Sequence, residues 1–126
     1  MVAETSTLPY AVRLTGPGEI HVFLRLHGGV YLAAHPSRRT ESVLAKTRTV
    51  YEYMAPARNL LQTTLQNGNP VIHPAISLMN AALIERTAGD FGFYEQGVTP
   101  GVGRLIEAVD RERVALGKKL DVRFVN

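Results

Sequence analysis

The stretch of residues 67–94 constrains the fold more than any other part of the sequence. It opens with Asn-Gly-Asn-Pro, a turn signature, and places His73 and a second proline two residues after this turn. Proline suits the first turn of a helix, because the N–H that it lacks has no partner there. Apolar residues then cover more than one helical face. We therefore predict a buried helix from His73 to about Thr87, closed by Gly89, with Asn80 as an internal polar group that needs a partner.

Three strand-like segments precede this helix and are separated by glycine turns. Residues 10–15, 19–26 and 30–34 are rich in β-branched, aromatic and alternating apolar residues. They predict an antiparallel β-meander. In the middle segment alternate side chains are apolar and predict one buried face: Ile20, Val22, Leu24 and Leu26. Residues 1–9 are expected to form a loop.

Helical patterns fill the rest of the chain. Residues 37–54 predict a helix with Ser37 or Thr40 as its N-cap, and a short helix is predicted over residues 56–65. Thr99, followed by proline, predicts the start of the last helix. Because strands come first and helices follow, the fold class is α+β, with a short antiparallel meander followed by a mostly helical bundle.

Composition excludes several classes of function. The chain has 126 residues, 45% of them hydrophobic, and no cysteine, so disulfides, thiolate catalysis and cysteine-based zinc sites are ruled out. The formal charge of +3 is spread along the chain, without the basic run typical of a nucleic-acid partner. No apolar run is long enough for a membrane span, so a cytoplasmic location is the default expectation. Three scattered histidines lack a carboxylate at ligand spacing, and we assign no metal to them: His21, His27 and His35.

His73 is the residue with the clearest chemical potential. Histidine titrates near neutrality and can give and take a proton at working pH, and a helix N-terminus disfavours its cationic form. The competing interpretation is a packed histidine whose ring nitrogens are satisfied by the backbone and Asn80. The residues alone favour this second interpretation, since a lone histidine is a weak signal.

Several motifs in this order resemble a known family. They are Asn-x-Asn-Pro-x-x-His-Pro from Asn67, Met-Asn-Ala from Met79, Phe-x-Phe-Tyr-x-x-Gly-x-Thr-Pro from Phe91 and Asp-x-Glu-Arg from Asp110. They resemble the start of the helical substrate domain of the octopine/nopaline (opine) dehydrogenases, a 6-phosphogluconate-dehydrogenase-like C-terminal helical domain. Residues 3–11 resemble the end of that family's nucleotide-binding domain. The resemblance implies two domain parts, a Rossmann-type tail at 1–54 and the start of the helical domain at 55–126.

The resemblance favours a catalytic His73 over the packed histidine. In that family the histidine of this motif is the general acid/base of an NAD- or NADP-dependent oxidoreductase that joins an amino acid to a 2-oxo acid. Glu4 and Thr5 match residues that help to bind the amino-acid substrate, although pattern alone predicts a mobile loop there. Asn67 and Asn69 either contact substrate and cofactor or fix the turn, and we expect the turn role to be the larger.

Two parts of the family's machinery are expected to lie outside the chain. The aspartate that orients the histidine falls beyond Asn126, and neither Asp90 nor Asp110 matches it. No Gly-x-Gly-x-x-Gly follows an N-terminal strand. We therefore expect an internal piece of an opine dehydrogenase that binds no cofactor alone and forms a homo-oligomer. The alternative is a non-catalytic helical module that binds a small acid or mediates self-association.

Overall fold

The structure is a computed structural model that describes residues 1–124. The chain divides into two compact units, one formed by Met1–Asn67 with the chain from Val122 and the other by Gly68–Asp121. Each unit has its own small core. The predicted α+β class is confirmed, since strands occupy the first part of the chain and helices the second. No helix within the described range combines the length and apolar character needed to cross a bilayer.

The first unit contains five strands and two helices. These elements are β1 (Val2–Thr5), β2 (Tyr10–Gly16), β3 (Glu19–Arg25), β4 (Val30–His35), α1 (Thr40–Thr47), β5 (Met54–Pro56) and α2 (Leu60–Gln66), with a 3-10 turn at Ser37–Arg39. β4 is the central strand of a three-stranded sheet, antiparallel to β1 and parallel to β5. β2 and β3 form a separate antiparallel hairpin.

β4 organises the core of this unit because most of its residues are apolar and buried. Val30, Leu32 and Ala33 are fully or almost fully buried. Leu44 from α1 and Thr63 from α2 join them in the interior.

β1 replaces the loop that was predicted for residues 1–9. Its residues pair in register with β4, from Val2 opposite His35 to Thr5 opposite Leu32. The local sequence gives little strand signal, so this prediction was wrong because the hydrogen bonds come from a distant strand.

The buried face predicted for the middle strand is also wrong. Ile20, Val22 and Leu24 in β3 are between 46% and 61% exposed. Their alternation defines an apolar face, but alternation does not determine what covers that face. Within the described chain the face is open.

The helix predicted for residues 37–54 ends at Thr47, and Met54 lies in a strand instead. Parallel pairing with β4 overrides the helical spacing of the later residues. Thr40 does not cap the helix; its hydroxyl accepts a hydrogen bond from the N–H of Ala34 at 3.1 Å. The next helix begins at Leu60 rather than Pro56, because the Asn59 side chain caps it by accepting from the N–H of Gln62 at 3.0 Å.

The second unit consists of three helices, α3 (Asn69–Met79), α4 (Ala81–Arg86) and α5 (Pro100–Lys119). α3 packs against α5. Val71 and Ile76 of α3 are buried, as is Val102 of α5. The prediction for Thr99 is confirmed, since its hydroxyl accepts a hydrogen bond from the N–H of Val102 at 3.3 Å.

α3 begins one turn earlier than predicted. Pro70 occupies its first turn, so His73 is the fifth residue and Pro74 lies inside the helix. Full burial is also wrong, because Leu78 is 75% exposed. The helix ends at Met79, and Asn80 separates it from α4.

The predicted close at Gly89 is confirmed. Gly89 has a φ of +88°, which favours glycine, and its N–H bonds back to the carbonyl of Ile84 at 3.0 Å.

Candidate functional site

His73 lies half-buried on α3, with its ring nitrogen Nε2 3.0 Å from the hydroxyl of Tyr94. The ring of Phe93 meets the imidazole edge to face, with centroids 5.7 Å apart and planes at 65°. Phe93 and Tyr94 are themselves perpendicular, with centroids 5.1 Å apart. The imidazole is therefore held by one aromatic face contact and one hydroxyl.

The segment of residues 91–97 that supplies these rings is tied to α3 by Asn80. The Asn80 amide donates to the carbonyl of Ile76 at 2.8 Å and to that of Gly97 at 3.1 Å. The partner predicted for Asn80 is therefore found, but it is backbone rather than His73. The packed-histidine interpretation had expected Asn80 to bond a ring nitrogen of His73.

Gly97 sets how closely this segment approaches the helix. A Cβ at this position would overlap the Phe93 carbonyl oxygen and come within 2.6 Å of the Ile76 Cγ2 and 2.9 Å of the Phe91 Cζ. Only glycine, which has no Cβ, leaves room for the Ile76 and Phe91 side chains at this distance from the backbone. The close approach brings Tyr94 within reach of His73.

The Asp110 carboxylate, in the middle of α5, is paired with a residue of the same helix. Asp110 accepts two bonds of 2.7 Å from the guanidinium of Arg113. Within residues 1–124 no hydrogen bond or ion pair links His73 to a carboxylate, and no group of three or more His, Cys, Asp or Glu side chains is placed to hold a metal.

Glu4 and Thr5 lie on β1, in the first unit. The Glu4 carboxylate is exposed and accepts a hydrogen bond from the Thr64 hydroxyl at 2.9 Å. Thr5 is half-buried and pairs with Leu32. The next residue, Ser6, is buried and accepts from the N–H of Tyr31 at 3.0 Å, so the end of β1 is ordered rather than a mobile loop.

The two asparagines of the turn also belong to different units. Asn67 is the C-cap of α2 with extended backbone, and Asn69 is the first residue of α3. Neither adopts the left-handed conformation that would explain an asparagine in a tight turn.

A dinucleotide cradle does not fit the glycines present. Gly101 and Gly103 lie inside the first turn of α5, after a threonine cap and not after a strand. The glycine-rich turn of a dinucleotide site joins a strand to a helix and leaves its amides open to phosphate.

Tyr94 and Gly97 are the residues that reasoning from the sequence missed. The available signal was three aromatic residues among four, at 91–94, followed closely by a glycine. Aromatic residues that follow a histidine-bearing helix after a short link can fold back onto it. Their spacing alone does not predict which ring meets the imidazole.

Comparison with known proteins identifies the family of this chain. Residues 56–126 match the family described as NAD/NADP octopine/nopaline dehydrogenase, alpha-helical domain. Over 121 residues the chain is also 35% identical to an opine dehydrogenase of Arthrobacter sp. (strain 1C), covering 96% of this chain and 33% of the relative. The chain thus spans about a third of that protein's length. By the match over more than half of its residues, this chain belongs to the octopine/nopaline dehydrogenase family.

Proposed function

We propose that this chain is part of an NAD(P)-dependent opine-type oxidoreductase that reductively condenses an amino acid with a 2-oxo acid, with His73 as the general acid/base. The observation that carries the proposal is the half-buried imidazole whose Nε2 is 3.0 Å from a tyrosine hydroxyl. This imidazole stands on a helix of the segment that matches the family.

The condensation gives a single histidine two linked proton transfers. The amino group of the amino acid must lose a proton before it attacks the keto carbon, and neutral His73 accepts that proton. The resulting carbinolamine loses its hydroxyl as water only when the oxygen is protonated, and the imidazolium supplies the same proton. His73 is therefore neutral again when the protonated imine, the iminium, has formed.

Gly101 and Gly103 do not provide the glycine-rich turn that holds a dinucleotide. In this proposal NAD or NADP is held by a part of the oxidoreductase outside these 126 residues. This chain contributes His73 as the acid/base.

Glu4, Thr5, Asn67 and Asn69 are proposed as substrate contacts on the strength of the family resemblance. Glu4 has the most suitable chemistry, because its exposed carboxylate accepts a hydrogen bond from the neutral Thr64 hydroxyl and could accept an ammonium hydrogen in its place. The asparagine amides would bind carboxylate or carbonyl oxygens.

The test is an assay of the complete oxidoreductase that contains this chain. Oxidation of NADH or NADPH is followed with an amino acid alone, a 2-oxo acid alone and both together, and the product is identified by mass spectrometry. We expect oxidation only with both, and a secondary amine dicarboxylate as the product. Formation of a 2-hydroxy acid from the oxo acid alone would contradict the proposal.

A second candidate is a non-catalytic module for small-acid binding or self-association. The open apolar face of the β2–β3 hairpin favours it, since such faces usually find a partner. It predicts that no combination of substrates in the same assay oxidises the dinucleotide.

A further inference from the structure

We propose that the Tyr94 hydroxyl carries the proton between His73 Nε2 and the reacting substrate. This inference rests on the proposed function, because it assumes that His73 is the acid/base. It adds a catalytic residue to the site.

Tyr94 is the more exposed partner of this hydrogen bond. Tyr94 is 57% exposed, whereas His73 is half-buried and lies against the Phe93 ring. Nε2 has a single hydrogen-bonding position in the plane of the ring, and the Tyr94 hydroxyl occupies it at 3.0 Å. A substrate that approaches this nitrogen from solvent meets the tyrosine hydroxyl first.

A phenol is suited to this task because its oxygen can accept one proton while it donates another. In the forward step the substrate ammonium passes a proton to the Tyr94 oxygen as the tyrosine proton moves to Nε2, which leaves a free amine and an imidazolium. In the return step the imidazolium gives its Nε2 proton to the tyrosine oxygen, and the tyrosine proton passes to the departing hydroxyl. Tyr94 is a neutral phenol before and after each step, and water is the leaving group.

The position of Tyr94 is fixed by contacts between its own segment, residues 91–97, and α3. Asn80 bonds the carbonyl of Gly97, and Gly97 allows the segment to lie against Ile76. Phe93, next to Tyr94, packs on the imidazole itself. The hydroxyl is thus positioned relative to the ring that it serves.

The test is Tyr94→Phe in the complete oxidoreductase, with Tyr10→Phe as the matched control. Tyr94→Phe removes one hydroxyl and keeps the ring, so we expect an unchanged melting temperature and KM but a kcat lower by about a hundredfold or more. The dependence of kcat on the D2O fraction should be curved in the wild type, where two protons move together, and linear in Tyr94→Phe. Tyr10 lies on the β2–β3 hairpin in the other unit, and its variant should keep the wild-type kcat.

Each contrary outcome has a distinct meaning. A wild-type kcat in Tyr94→Phe, beside an inactive His73→Gln, would overturn the relay and leave the proposed function standing. A lower kcat that keeps the curved dependence on D2O would also overturn it, since Tyr94 would then only position His73. An active His73→Gln enzyme would overturn the proposed function and the relay with it.

Discussion

At the scale of single residues, the sequence predicted what depends on near neighbours. Thr99 caps α5 and Gly89 closes α4 because each interacts with residues a few positions away. Tyr94 and Ser6 were missed because their partners lie 21 and 25 residues away in the chain. Such pairs depend on the packing of whole elements, which a local pattern does not specify.

Tyr51 provides a prediction at this scale. Its side chain is buried in the first unit and its hydroxyl donates to the Leu26 carbonyl, and burial raises the pKa of Tyr51 above its ordinary value of 10.0. The unfolded chain therefore loses this proton at a lower pH than the folded chain does. We expect the free energy of unfolding contributed by Tyr51 to be complete below about pH 10 and to fall as the pH rises further.

Urea unfolding of the 126-residue chain between pH 8 and 11, followed by circular dichroism, measures this dependence, with the pH range chosen around the phenol pKa of about 10. Tyr51→Phe should be less stable at pH 8, by about 0.5–1.5 kcal/mol for the lost hydrogen bond, and should show a shallower alkaline decline. An equal decline in both proteins would exclude Tyr51 as its source.

At the scale of elements, the main error concerned which proline begins α3. Pro70 and Pro74 could each occupy a first helical turn. The helix takes the earlier one, so that Val71 joins the core beside Ala75 and Ile76. Burial of three side chains along one face selects the register, and this selection is not visible in the proline pattern.

Gly97→Ala tests how the aromatic segment is held against α3. The added methyl would overlap the Phe93 carbonyl and crowd the buried Ile76 side chain, so the backbone must move. We expect a loss of about 1–3 kcal/mol of stability, as for other overpacked sites. In the complete oxidoreductase kcat should also fall, because Tyr94 moves away from His73.

Gly92→Ala is the matched control in the same segment. The atoms nearest to its methyl would belong to the flexible Gln96 side chain, at 3.4 Å or more. Thermal melts of the three chains should place this control near the wild type and Gly97→Ala well below it. Equal melting temperatures for both variants would show that the close approach at Gly97 is not required.

At the scale of the whole molecule, the α+β class and the order of elements were predictable, but the pairing of strands was not. The third predicted strand, β4, pairs with the first and last strands of its unit, β1 and β5, and not with the hairpin. Its small buried residues fit the centre of a sheet, while the more exposed β2 and β3 pair with each other. The predicted domain boundary near residue 55 stays a prediction.

The hairpin makes association of the chain a testable expectation. Val12 is opposite Val22 and Leu14 is opposite Ile20, so these exposed side chains share one face, while Arg13 pairs with His21 on the other. We expect light scattering at tens of micromolar, a range suited to moderate affinity, to give a dimer or larger assembly.

Ile20→Lys should lower that mass by charging the apolar face. His21→Lys, on the opposite face of the same strand, should leave the mass unchanged. A monomeric wild-type chain at these concentrations would refute the expectation.

The most direct test of the account is His73→Gln in the complete oxidoreductase, with kcat, KM and melting temperature measured on the same preparation. Glutamine keeps hydrogen-bonding capacity toward Tyr94 but cannot transfer a proton at neutral pH. We predict that kcat falls by roughly a hundredfold to ten-thousandfold, while KM and the melting temperature change little. An enzyme that turns over at the wild-type rate but melts at a lower temperature would show that His73 is a structural residue, and would contradict its role as the acid/base.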